Sequence, residues 1–267
     1  MQSIIKFIHI SDTHISAQGC LVYSNNPRVK LQTCIDEIKR DHLDAAFLIL
    51  TGDVTNDGSM ECFSFLQEVL SELPMPWYLV MGNHDLKQSL FTAIPEYPRD
   101  PNGFVQFTVD TPVGLCIILD TTIANQSSGI LCAARLDWLA NELKQATKPV
   151  LLFFHHPPFS LGIPSMDAIV HSLKNSEEFF AVLKPYKDKI RHMFVGHIHR
   201  PICGSWNGIP FSCAPSTAHQ IALNFQSDKS VLGFKEPSGY SIVLVNNDQL
   251  IVHFQECNKT PNIIIKA

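Results

Sequence analysis

The sequence predicts an α/β fold, and three observations carry that reading. Short apolar runs of strand length alternate with segments of helical spacing, the pattern of β-α-β units and a parallel sheet. Five of those runs each end in a cluster of Asp, Asn or His. Open α/β sheets gather their sites outside the carboxyl ends of their strands, so all five clusters belong on one edge.

Residues 4–10 form the first predicted strand, which ends at Ser11-Asp12-Thr13-His14. Leu31, Cys34, Ile35 and Ile38 then recur at helical spacing. The run 45–50 ends at Thr51-Gly52-Asp53, and Ser59 is the expected N-cap of a second helix marked by Phe63, Leu66, Leu70 and Leu73. Pro74 and Pro76 close that helix. A third strand, 77–81, leads into Gly82-Asn83-His84-Asp85.

The middle of the chain changes character. Pro95, Pro98 and Pro101 make 93–103 a predicted loop, and Asp110-Thr111-Pro112 separates two consecutive strands, 104–109 and 114–120. Ala133, Leu136, Leu139, Ala140 and Leu143 restore a helix, and the run 150–154 ends at His155-His156-Pro157-Pro158. A helix over 177–183 precedes the fifth run, 191–195, which ends at Gly196-His197-Ile198-His199. Asn207-Gly208 predicts a type I′ hairpin. Residues 214–239 show no clean period and are expected as a long loop, and 240–245 and 250–254 pair as a final hairpin. There is no internal repeat. The 267 residues are expected to form one domain, with a core over about 4–215 and a C-terminal loop and hairpin over about 214–256.

Composition narrows the function classes. A net charge of -5 and the lack of a basic stretch argue against a nucleic-acid polymer as the partner. No apolar run is long enough for a membrane helix, and Met1-Gln2-Ser3 leads almost directly into an apolar strand, so neither a membrane span nor a secretory signal is expected. The eight cysteines include no Cys-x-x-Cys pair, and several sit among apolar neighbours. They are read as free thiols in a reducing cytoplasm. If the chain self-associates, a homodimer is the expected state.

Asp12, His14, Asp53, Asn83, His84, His155, His197 and His199 make up the site inventory. Carboxylate, amide oxygen and imidazole together suit first-row transition metals rather than calcium. Their number exceeds what one ion needs and fits two. Any one of these clusters alone is ordinary turn chemistry; five in register with five strand ends are not.

In this order the motifs Asp12-x-His14, Gly52-Asp53, Gly82-Asn83-His84-Asp85, His155 and Gly196-His197-x-His199 resemble the calcineurin-like metallophosphoesterases. His155-His156-Pro157-Pro158 and Gly196-His197-Ile198-His199-Arg200 look most like the class III cyclic nucleotide phosphodiesterases and the related glycerophosphodiesterases. The resemblance implies a four-layer αββα sandwich with two mixed β-sheets and a dinuclear centre at one sheet edge. It also implies that one ion takes Asp12, His14, Asp53 and His199, and the other Asp53, Asn83, His155 and His197. Iron, manganese, zinc and cobalt all suit such ligands. His84 resembles the family's non-ligating catalytic histidine, with Asp85 its orienter and Asn83 and His84 at the substrate. Arg200 could touch phosphate or be solvated, and His156 is expected behind the ligands.

The implied activity is hydrolysis of small phosphodiesters, 3′,5′-cyclic nucleotides or glycerophosphodiesters. A water between two cations ~3.5–4 Å apart would lose a proton and attack phosphorus. A phosphomonoesterase on the same core, and a non-catalytic protein-binding scaffold, are the alternatives. The segments 86–103, 159–166 and 214–239 are expected to set specificity, with 95–101 and Phe159 as walls.

Overall fold

Two sheets face one another, each covered by helices on its outer side. The structure is a computed structural model that describes residues 4–169, 172–226 and 230–258. The first sheet is built on β1 (Ile5–Ile10), which pairs in parallel with β2 (Leu48–Leu50), itself parallel to β3 (Trp77–Leu79). The second contains β4 (Phe107–Thr111), β5 (Gly114–Ile118), β6 (Val150–Phe154), β7 (Ile190–Val195), β8 (Ile202–Trp206) and β9 (Ile209–Cys213). Its spatial order is β4-β5-β6-β7-β9-β8, parallel from β5 to β9 with an antiparallel strand at each edge.

The period of two along each strand sorts side chains between layers. Ile8 and Ile10 of β1 pack under α1 (Pro27–Asp41) and α2 (Met60–Ser71), while Phe7 faces the other sheet. In β6, Val150, Leu152 and Phe154 join the core under α4 (Ala133–Gln145) and α6 (Ser176–Leu183), while Leu151 and Phe153 face inward. Between the sheets, Phe7 stacks on Phe47 at 4.5 Å and meets Phe194 edge-on at 5.4 Å, and Phe153 stacks on Phe194 at 4.9 Å. This aromatic layer fixes the spacing of the two sheets. The arrangement is the four-layer sandwich with two mixed sheets.

Helix starts follow local chemistry. The Asn26 side chain caps α1 by accepting from the amides of Arg28 and Val29, with Pro27 in the first turn. Ser59 stands at the N-cap of α2, but its hydroxyl donates to Cys62 Sγ and caps no amide. Two short helices, α3 (Lys87–Ala93) and α5 (Pro164–Ile169), were not expected; they are seven and six residues long, too short for a periodic signal. Asn207 and Gly208 take φ of 51° and 77°, in keeping with the hairpin turn foreseen there.

Differences concentrate after residue 214. The stretch expected as a loop contains a two-stranded ribbon, β10 (Gln220–Ile221) with β11 (Gly233–Phe234). The final hairpin is β12 (Gly239–Val245) with β13 (Leu250–Glu256), and β12 lies antiparallel against β1 from Ile5 to His9. It therefore completes the first sheet, in the order β13-β12-β1-β2-β3. That pairing carries Cys257 to α1, where it forms a disulfide with Cys34. The reading of these two cysteines as free thiols is corrected, and with it goes the cysteine argument for a reducing compartment. Cys20, Cys62, Cys116, Cys132, Cys203 and Cys213 are free. No described helix is long and apolar enough to cross a membrane.

The bridge joins residues 223 positions apart, so it restricts nearly the whole unfolded chain. Cys257→Ser should lower the unfolding free energy by about 2–4 kcal/mol. Urea melts with and without reductant check this: reductant should destabilise the parent and leave the variant unmoved. A parent insensitive to reductant would contradict the bridge.

Candidate metal centre

The carboxyl ends of β1, β2 and β3 and of β6 and β7 come together on one edge of the sandwich, and each sheet contributes ligand-type side chains there. Five of these residues leave their strands in the left-handed region: Asp12 (φ 52°), His14 (41°), Asp53 (46°), His197 (72°) and His199 (51°). For non-glycine residues that conformation costs about 1–3 kcal/mol each and collects at functional sites. Main-chain bonds hold the bends: Asp12 N–H donates to Gly52 O at 3.1 Å, and His14 N–H to Asp53 O at 2.9 Å. At two positions only glycine fits. A Cβ on Gly82 would collide with the Asp53 amide, and one on Gly196 with the Thr51 carbonyl. Gly196 thus lets the edge of the second sheet close on that of the first.

The ligand-type atoms converge on one oxygen. Asp53 Oδ2 lies 3.3 Å from His155 Nε2 and 3.6 Å from His14 Nε2, while Asp53 Oδ1 accepts the His84 amide at 2.9 Å. On one side, His14 Nε2 is 3.0 Å from His199 Nε2, which is 3.5 Å from Asp12 Oδ1. On the other, His155 Nε2 is 3.1 Å from His197 Nδ1 and 3.2 Å from Asn83 Oδ1.

Hydrogen bonds at the far ring nitrogens fix which atoms carry lone pairs. His155 Nδ1–H donates to Thr51 O at 2.8 Å and His199 Nδ1–H to His219 O at 3.1 Å, so in each neutral ring Nε2 is the nitrogen that presents a lone pair inward. The centre gathers imidazole nitrogens against carboxylate and amide oxygens and against one another. His14 Nδ1 and His197 Nε2 are buried without a partner among the described residues. Two groups of ligand-type residues lie close together, Asp12, His14, Asp53 and His199 in one and His155, His156 and His197 in the other, and such donors fit a dinuclear site.

Electrostatics agree with this. Burial holds His14 and His197 well below the usual imidazole range and His199 at about 4, so these rings are neutral. Burial pushes the Asp12 carboxyl up to about 7, with His155 opposing and Asp53 adding to the rise. Burial also disfavours charge on His155 and Asp53, yet their mutual attraction prevails. It raises His155 to about 9 and holds Asp53 well below the usual carboxylate range.

Other expected residues are placed differently. His84 is exposed on a cavity of about 290 Å³, edge-on to His14 at 4.8 Å, and its Nδ1–H donates to Asn56 O at 2.9 Å. The Asn56 carbonyl therefore orients His84, and the expectation that Asp85 does so is corrected. Asp85 is buried and accepts from the amides of Val54, Thr55 and Gly82 and from the Thr55 hydroxyl, which ties the β2 and β3 turns together. Arg200 is also corrected: it donates to Ile221 O and pairs with Glu236 at 3.1 Å, outside the cavity. His156 lies behind the centre, with Nδ1 2.7 Å from Thr121 Oγ1.

Of the expected walls, Phe159 stacks on Phe211 at 3.9 Å within the second sheet's core, and 95–101 contribute nothing to the cavity lining. The apolar wall is instead Met166, Ile221 and Val231, with Tyr23, Ser127 and His219 also at the cavity. His219 was missed because it sits in an aperiodic stretch without a motif. The bond from His199 to its carbonyl and the contact of its ring with the His199 ring at 4.4 Å give its place.

Residues 5–201 match the family model of the calcineurin-like phosphoesterases. A probable cyclic nucleotide phosphodiesterase of Rhodopseudomonas palustris is 38% identical over 93% of this chain and 91% of its own length. A probable glycerophosphodiester phosphodiesterase of Arcobacter nitrofigilis is 35% identical over 86% and 85%. In fold, the chain is similar to a purple acid phosphatase from yellow lupin seeds, with a TM-score of 0.65 at 11% identity, covering 96% of this chain and 52% of that one.

His84 and Asp85 should separate experimentally. Asp85→Ala leaves three amides without their acceptor and should cost about 3 kcal/mol of stability. His84→Ala, at an exposed side chain, should cost less than about 1 kcal/mol. Urea unfolding of both variants checks this, and equal losses would contradict the division.

Proposed function

The chain belongs to the calcineurin-like phosphoesterase family, and on that premise we propose that it hydrolyses small phosphodiesters at a dinuclear metal centre. The proposed substrates are 3′,5′-cyclic nucleotides or glycerophosphodiesters, and the names of the relatives from R. palustris and A. nitrofigilis, for a cyclic nucleotide and a glycerophosphodiester phosphodiesterase, support that choice. The observation that carries the reading is the convergence on Asp53 Oδ2 of imidazole nitrogens from two sides, His14 Nε2 on one and His155 Nε2 on the other. Asp12, His14, Asp53 and His199 would hold one ion, and Asp53, Asn83, His155 and His197 the other. Bound there, the ions would supply a low-pKa water and positive charge for the phosphate.

The chain's own groups do the rest. Asp53 Oδ1 is occupied by the His84 amide, which leaves Oδ2 as the shared atom. Because Asn56 O holds His84 Nδ1–H, the Nε2 edge is free for the substrate, where the imidazolium form can give its Nε2 proton to the departing alkoxide and remain as the neutral Nδ1–H ring. The apolar wall of Met166, Ile221 and Val231 opposes the histidines and gives the second ester substituent a dry surface. Diesters suit such a site, since one negative charge leaves room for an apolar group.

Metal uptake should release protons. Asp12 rises to about 7 and His155 to about 9, and both must be deprotonated to ligate. Affinity should therefore rise with pH from about 6 to 9 and fall on acidification. Titrating the metal-free protein in buffers of different ionisation enthalpy checks this, and a pH-independent affinity would contradict it.

His84→Ala should leave metal content unchanged and lower turnover by roughly 10²–10⁴-fold for alkyl leaving groups. Activated aryl esters need less acid assistance and should lose less. Equal losses for both would remove His84 from the acid role. For the substrate class, kcat/KM on matched diester and monoester pairs decides, and a consistent monoester preference would move the chain to the phosphatases.

A further inference from the structure

Behind the metal centre a chain of buried side chains leads away from Asp12 between the sheets. Ser11 Oγ is 2.5 Å from Asp12 Oδ2, Thr51 Oγ1 is 2.8 Å from Ser11 Oγ, and His9 Nε2 is 2.8 Å from Thr51 Oγ1. All four residues are fully buried. None of His9, Ser11 and Thr51 touches the cavity, and none belongs to the ligand set above.

Proton counting fixes the direction of every bond. An ionised carboxylate has no proton to give, so Ser11 must donate to Asp12. Its single proton is then used, and Ser11 can only accept from Thr51. Thr51 in turn has spent its proton on Ser11, in preference to the Val195 carbonyl at 3.2 Å, and must accept from His9 Nε2–H. His9 Nδ1 then carries the lone pair, and it has no partner among the described residues. Burial, with His192 adding to it, lowers His9 to about 3 and keeps the ring neutral. Phe194 packs edge-on to that ring at 5.3 Å and limits its rotation.

We propose that His9, Thr51 and Ser11 form a one-way donor relay that positions Asp12, holding Oδ2 on Ser11 so that Oδ1 is the oxygen turned toward the ligand-type atoms. Asp12 Oδ1 is the oxygen that accepts the His197 amide at 3.0 Å and lies 3.5 Å from His199 Nε2. These are positioning residues, and the proposal rests on the reading of Asp12 as a ligand. Second-layer partners of this kind typically change metal affinity by about 10–100-fold.

The test is Mn²⁺ binding to the metal-free full chain, followed by the free-ion resonance signal, with thermal melts as a fold control. Ser11→Ala and Thr51→Val should weaken one of two Mn²⁺ equivalents by about 10–100-fold, and Thr51→Ser should restore it to within about threefold. His9→Leu should weaken the same equivalent, while His9→Gln, which keeps a donor, should not. In a Thr51→Val background, His9→Leu should add less than about twofold, because the chain is already cut. Unchanged Mn²⁺ affinity in folded Thr51→Val protein overturns the relay, as do losses from His9 and Thr51 that multiply. Should His9→Leu fail to fold, the Thr51→Val and Thr51→Ser pair decides alone. A wild-type chain that binds fewer than two Mn²⁺ overturns the dinuclear reading instead; the Thr51 pair then judges the relay on whichever ion Asp12 holds.

Discussion

Four imidazoles, an amide oxygen and the Asp12 carboxylate gather about Asp53 in a buried site, and with three of those rings neutral the collection is unfavourable unless cations occupy it. Most of the surrounding architecture can be understood as what holds Asp53 in place. Five residues accept left-handed backbone, at about 1–3 kcal/mol each, so that their side chains turn inward from the strand ends. The stacked phenylalanines between the sheets and the close contact at Gly196 prevent the two edges from separating. Thr51 is the hinge of this arrangement. Its carbonyl accepts from His155 of the second sheet, and its hydroxyl donates to Ser11, which in turn donates to Asp12.

The division of labour around the centre follows from the number of protons and lone pairs each group has to offer. Asp53 gives one oxygen to a backbone amide and the other to the middle of the site. Asp12 gives Oδ2 to Ser11, while Oδ1 accepts the His197 amide and still lies 3.5 Å from His199 Nε2. Asp85 has both oxygens engaged by the protein and none left for chemistry, which makes it a brace between two turns. His84 is the reverse case. One bond to a carbonyl orients it, and the rest of its ring stays exposed at the cavity.

The fold class and the gathering of Asp12, His14, Asp53, Asn83, His155, His197 and His199 were legible because each lies at the end of an apolar run, and strand ends on one sheet edge are neighbours by construction. What was not legible depends on long-range placement. Cys34 and Cys257 meet only because β12 returns to β1, and nothing near either residue signals that pairing. His219 and the Met166–Ile221–Val231 wall come from segments without periodicity. Arg200 misled by its position next to His199, since its side chain turns to Glu236. Asp85 misled similarly: adjacency to His84 implied a partnership that the Asn56 carbonyl fulfils.

The central claim is that one oxygen, Asp53 Oδ2, is common to two metal positions. Electron paramagnetic resonance of the protein loaded with two equivalents of Mn²⁺ tests it most directly, because a shared ligand atom couples the two spins. A spin-coupled signal that Asp53→Asn abolishes is the expected result. Two uncoupled, mononuclear Mn²⁺ signals at full loading would contradict it.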